Sequence, residues 1–234
     1  NSRAAERNRR LGGLNENLAR EMLELYTLGT AGPYDQADVR ELAELLTGLT
    51  FNARDGFVFR ADRAEPGAET VLGVSYGGRG GRLSDIHAAL DDLATHPATA
   101  RHIAKKLAVH FVSDAPAPDL VAHMAARFAS ADGDLAQVYA AMLEHPAAWD
   151  PVARNVKAPV DFVGSALRAL DIVPGHLPRD RPGEMRDTLL TPLALMGQEW
   201  ARPLAPDGWP EDDAAWITPQ RLAARLQWAM SAPF

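Results

Sequence analysis

Apolar residues recur every three to four positions along most of the chain, the spacing that lines them up on one face of an α-helix. Over residues 14–28, Leu14, Leu18, Met22, Leu23, Leu25 and Tyr26 fill one side at 100° per residue. Glu16, Asn17, Arg20, Glu21, Glu24 and Thr27 fill the other, interrupted by Leu28. Asn15 stands before this run as a cap and Gly29 stands just past it, the usual punctuation of a helix. A second helix is predicted to start at Asp35, where Asp35 and Asp38 suit the positive end of the helix dipole, and to run through Val39, Leu42 and Leu46 to near Gly48. The two make a helical hairpin. Over about residues 50–76 the pattern shifts to short β-like runs, Phe51-Asn52, Phe57-Val58-Phe59 and Thr70-Val71-Leu72, with Asp55-Gly56 as a hairpin turn. A glycine-rich loop, residues 77–81, follows. Helical spacing then returns over residues 84–95, 97–112, 118–130, 135–144, 159–170, 184–195 and 219–230, and proline at the first position of several of these segments agrees with a helix start.

The predicted fold is therefore mostly α: a multi-helix globular domain over residues 14–234 with a small β-hairpin insertion at about 50–76. A Trp- and Pro-rich loop spans 196–217, and a basic, flexible lead-in covers residues 1–13. With 234 residues and 47% hydrophobic content the chain can bury a sizeable core without a metal or disulfide staple. It has no cysteine, which excludes thiol nucleophiles, thiolate zinc sites and disulfides. The net charge of −7 argues against a general nucleic-acid binder, and no apolar run has the length of a membrane span.

Residues 14–29, LNENLAREMLELYTLG, and 34–48, YDQADVRELAELLTG, resemble the bacterial family catalogued as domain of unknown function 1800. Residues 95–114, the Lys157-Ala158-Pro159 helix start and residues 207–226 agree in the same order. The resemblance implies that this chain is the C-terminal half of a longer protein, with the missing N-terminal half as a partner. It also implies export to the periplasm or cell envelope, and a neighbourhood of sulfatase-like proteins catalogued as domain of unknown function 1501. It supplies no reaction. Relatives often read His-Glu/Asp-Pro-Gly-x-Lys-Thr where this chain has Ala64-Glu65-Pro66-Gly67-Ala68-Glu69-Thr70, so His and Lys are replaced by Ala64 and Glu69. Leu49 stands where relatives have Trp.

Two candidate sites follow. Asn17, Arg20, Glu21 and Glu24 lie at i, i+3, i+4 and i+7 of the first helix, an array that could hold a hard cation through oxygens, or set a carboxylate as general base beside an anion-holding Arg20. The competing account pairs Arg20 with Glu16 or Glu24 and docks the face on the missing N-terminal half. Glu16, Arg20, Glu21 and Glu24 are thus the catalytic candidates, and Asn15 and Asn17 ligand-binding candidates. In the loop, Trp209 and Trp216 beside Asp207, Glu211, Asp212 and Asp213 are candidates for a sugar platform, against the account in which the rings, with Trp200, anchor a long loop. His102 and His110 share a stripe with Lys106 but lack zinc-pair spacing. His96 and His145 read as turn residues, and residues 77–81 read as linker rather than an anion loop. No metal or cofactor is expected. The leading functional expectation is an exported accessory or binding protein acting with the sulfatase-like partner at the cell envelope, with glycans as the expected target. The alternative is a hydrolase or transferase that uses the carboxylates and arginine of the Asn-Glu-Asn helix.

Overall fold

The computed structural model describes residues 14–78, 80–152, 155–178 and 180–231. The basic lead-in, Arg79 of the glycine-rich loop and residues 232–234 lie outside them. The described residues are 56% helical and include two small antiparallel sheets of two strands each, as the patterning implies. It divides into two compact units, residues 1–106 with 118–144, and residues 107–117 with 145–234.

In the first unit, helix α1 (Asn17–Glu21) opens with the Asn15 carboxamide accepting the Asn17 N–H at 3.0 Å, then widens into a π-turn over Met22–Tyr26. That turn changes which face is buried. Ala19 and Leu23, four residues apart, enter the core, and the residue that the π-turn adds brings in Leu28 five positions further on, whereas Leu14, Leu18 and Tyr26, expected inside, are exposed. Gly29 ends the segment at φ +83°, with its N–H on Leu23 O; a Cβ there would meet the His102 ring at 2.6 Å. Helix α2 (Gln36–Leu45) is fixed by a complete capping box, in which the Asp35 side chain takes the Ala37 and Asp38 N–H groups and the Asp38 side chain takes the Asp35 N–H. Its apolar positions Val39, Leu42 and Ala43 are buried.

The β insertion consists of two consecutive hairpins. Strands β1 (Leu49–Asn52) and β2 (Gly56–Phe59) pair around a turn in which the Asn52 side chain accepts the Arg54 and Asp55 N–H groups. Strands β3 (Gly67–Val71) and β4 (Val74–Gly78) pair in register Gly67↔Gly78 to Val71↔Val74. Gly77 and Gly78, read from sequence as loop, complete β4. β3 has β4 on one edge only, and helix α2 serves its other edge: Asp38 Oδ1 accepts the Leu72 N–H at 2.7 Å and Glu41 Oε2 accepts the Thr70 N–H at 2.8 Å. Edge donors that a lone hairpin would leave to water are thus met by carboxylates one helical turn apart. Helix α3 (Leu83–Thr95) buries Ile86, Ala89 and Leu93, and its Asp92 accepts the Tyr76 hydroxyl of β4 at 2.6 Å. Together with burial, that bond holds the Tyr76 phenol above its ordinary pKa. Helix α4 (Pro97–Phe111) follows, then α5 (Pro118–Ser130) and α6 (Leu135–Glu144), with Leu120, Met124, Val138 and Ala141 buried.

In the second unit, α7 (Pro159–Ala169), α8 (Pro182–Met185), a π-turn (Arg186–Leu190), α9 (Thr191–Leu195), α10 (Asp213–Trp216) and α11 (Pro219–Ser231) surround Val163, Leu193, Met196 and Trp228. Arg225 of α11, 7% exposed, gives a hydrogen bond to the Lys157 carbonyl at 2.8 Å and lies over the Phe162 ring at 5.2 Å. Its burial lowers the guanidinium pKa. His96 and His145 do the same local job in different places: each imidazole Nδ1 accepts the N–H two residues on, Ala98 and Ala147, across a His-Pro step.

Candidate functional site

On α1, the candidate residues form one hydrogen-bonded array. Arg20 reaches Glu24 at 3.2 Å, Glu16 at 3.6 Å and the Gln36 side-chain oxygen at 2.8 Å. Gln36 returns its own N–H to Glu16 at 2.7 Å, which ties α1 to the first turn of α2. Glu24 also meets the Tyr34 hydroxyl, whose pKa is raised by burial and by that carboxylate. Glu21 receives the Tyr26 hydroxyl at 3.4 Å, and Asn15 is used in the helix start. Asn17 is the first residue of α1. The arrangement brings Glu16, Arg20 and Glu24 together around one guanidinium, and places Glu21 apart from them on Tyr26.

The Trp loop is organised by backbone capture. Asp213 Oδ1 accepts the Val156 N–H at 2.7 Å, Asp114 accepts the Asp213 N–H at 3.0 Å, and Asp212 caps Ala214 at 2.9 Å. Glu211 meets His110 Nδ1 at 2.9 Å. Burial raises the Asp114 pKa, and the nearby Asp213 and Asp212 charges add to the effect. Trp216 is 2% exposed, lies 6.5 Å from the half-buried Trp209 ring at a 55° tilt, and carries the Arg221 guanidinium over its face. Trp200 is exposed. The face of Trp216 is therefore covered by protein, and Trp209 is the more accessible of the pair.

A third group was not a candidate in the sequence reading. Glu41 and Glu44 of α2 and Glu69 of β3 each place a carboxylate oxygen so that all three lie within 4.8 Å of one another. The i, i+3 spacing puts Glu41 and Glu44 on one face of α2, and strand alternation turns Glu69 inward with Val71. Glu69 is 8% exposed. Its carboxyl is pushed up to about 7, first by desolvation and then by the Glu44, Glu41 and Glu65 charges. The alternation of β3 is the signal that could have placed Glu69 on the buried face. What periodicity could not give was the docking of β3 across α2.

The family described as protein of unknown function (DUF1800) matches residues 1–232. No curated protein and no solved structure matches the chain.

Proposed function

Since the chain belongs to the DUF1800 family, we propose that it is an exported accessory or binding protein of the cell envelope, acting with a sulfatase-like partner of the domain of unknown function 1501 family, on glycans, and not itself a hydrolase. The observation that supports this reading is the array around Arg20. A general base must meet its proton through an unoccupied lone pair near a substrate. Glu16 and Glu24 instead flank one arginine, and Gln36 and Tyr34 fill further positions on them. This is the pattern of an interhelical tie. Partner recognition is then the task left to the surface, and the half-buried Trp209 offers an aromatic face for a sugar ring.

Co-expression with a sulfatase-like protein of the domain of unknown function 1501 family tests the proposal. The expected result is co-purification of the two, retained by the Glu24→Gln variant. Failure to co-purify, together with a glycan-cleaving activity of this protein that Glu24→Gln abolishes, would replace the proposal with the hydrolase reading.

A further inference from the structure

The second unit contains a cleft of about 470 Å³ that none of the candidate residues lines. Its walls are aliphatic: Leu167 and Leu170 of α7 and the residue after it, Ile172, Leu177 and Pro178 of the segment that follows, and Leu189 of the π-turn. Local chemistry builds them. Helix α7 ends in a Schellman motif, with the Asp171 N–H on Arg168 O at 3.2 Å, the Ile172 N–H on Leu167 O at 2.9 Å, and Asp171 in the left-handed region at φ +55°. That motif brings Leu167 and Ile172 side by side, and both line the cleft. The π-turn over Arg186–Leu190 contributes Thr188 and Leu189, and two bonds outside the backbone ladder hold it. The Thr188 hydroxyl donates to Glu184 O at 2.7 Å, and Trp228 Nε1 donates to Thr188 O at 3.1 Å. Leu167 and Leu189 also pack on Val163, Leu193, Met196 and Trp228, so the cleft is continuous with the core of the unit.

Apolar surface left in water costs free energy in proportion to its area, and interiors ordinarily close to avoid it. Here Leu170, on the wall, stays 51% exposed. The volume lies within the roughly 300–1,000 Å³ of small-molecule sites, which join apolar walls to a few convergent polar groups. Three polar residues complete this lining, His176, Glu184 and Thr188. Their uncommitted atoms define what they can bind. Arg181 holds Glu184 Oε2 at 2.5 Å, which leaves Oε1 as an acceptor. The Thr188 hydroxyl has given its proton to Glu184 O, so its oxygen is likewise left as an acceptor. The His176 ring has no hydrogen-bond partner among the described residues and can accept or donate. This edge favours a group that donates hydrogen bonds and disfavours a carboxylate. None of the described lining residues is Phe, Tyr or Trp, so the cleft lacks the flat face on which a sugar or aromatic ring would stack.

We propose that this cleft binds an aliphatic ligand with a hydrogen-bond-donating end, an alkyl alcohol or alkyl amine. The chain lies against Leu167, Ile172 and Leu189, and its donor meets Glu184, Thr188 and His176. Affinity comes from removing both the chain and the aliphatic walls from water, so each added methylene strengthens binding about fourfold until the cleft is full. The site shares no residue with the Arg20 array or with Trp209, and it stands independently of the glycan reading.

The test is calorimetric titration of the whole chain with hexanol, octanol, octylamine and octanoate, beside Leu170→Trp and Leu170→Asp. Because Leu170 is half-exposed, both variants should melt like the wild type; the indole fills the cleft, and the aspartate, a second reading should the ring not be accommodated, puts a charge on its wall. The expected result is saturable binding at one site, with octanol about fifteenfold tighter than hexanol. Octanol and octylamine should both bind more tightly than octanoate, and both variants should lose about tenfold or more. Glu184→Gln should narrow the gap between octylamine and octanoate. Absence of saturable binding up to the solubility limit of octanol would overturn the site. Binding left unchanged by both Leu170 variants would overturn it as well, placing the chain on other exposed leucines, and tighter binding of octanoate than of octanol would overturn the donor end.

Discussion

Two acidic arrays in the first unit share helix α2 and differ in what occupies their centre. Around α1, Glu16 and Glu24 flank Arg20, which adds Gln36 of α2 to the group. One helical turn and more along α2, Glu41 and Glu44 flank Glu69. The first array contains its own counter-charge and closes on itself. The second concentrates negative charge and favours the protonated form of Glu69. Similar i, i+3 and i, i+4 spacing of acids on a helix therefore has opposite chemical consequences, and the residue contributed by the neighbouring element decides which.

The comparison breaks most severely if α2 itself moves. Leu42 is fully buried between the two arrays, and Leu42→Ala is expected to cost about 2–5 kcal/mol; denaturant unfolding measures it, and a cost within 0.5 kcal/mol would mean that α2 does not depend on the core for its position.

The next effect is a pH dependence with an unusual sign. Glu69 has its folded pKa raised from 4.5 to about 7 by burial and by Glu44, Glu41 and Glu65. Between these values the folded state holds more protons than the unfolded one, so its contribution to stability falls as pH rises from about 4.5 through 7. The full contribution is on the order of 3 kcal/mol, and Glu69→Gln should remove the slope. Melting temperatures of the two proteins from pH 4.5 to 8 give the difference curve; parallel curves would show Glu69 ionising as an ordinary carboxyl.

Smaller effects distinguish the closed array. Arg20→Ala leaves Glu16 and Glu24 facing each other without their cation, but the site is part-exposed, so the cost should be about 1 kcal/mol and should shrink in high salt. A salt-independent loss would identify packing of the arginine stem as its main contribution. Glu21→Gln, which touches only the long Tyr26 bond, should change stability by less than about 0.5 kcal/mol, and thermal melts suffice to show it.

Much of this architecture was legible in the residues. The cap at Asp35, the turn at Asp55-Gly56 and the ends of α5 and α6 follow from local chemistry, which acts over a few positions and is written in consecutive side chains. The π-turn at Met22–Tyr26 was not, because its extra residue turns Leu28 into the core from what a regular helix makes the polar side. The array on α1 was half legible: the intrahelical Arg20 pairs follow from spacing, whereas Gln36, sixteen residues away, joins through the packing of two helices. The Glu69 group depends wholly on tertiary placement, since Glu41 and Glu69 come from a helix and a strand with a complete hairpin between them. In the second unit the acids of the Trp loop were visible as a cluster, yet their partners, Val156 and His110, lie far away in the chain.

The central contrast, one array with an internal cation and one without, is tested most directly by the titration of the Glu69 side chain itself. Carbon-detected NMR of the glutamate carboxyls, with Glu69→Gln for assignment, follows that group from pH 3 to 9. The account predicts a pKa near 7 for Glu69. A pKa in the ordinary carboxylate range would contradict it.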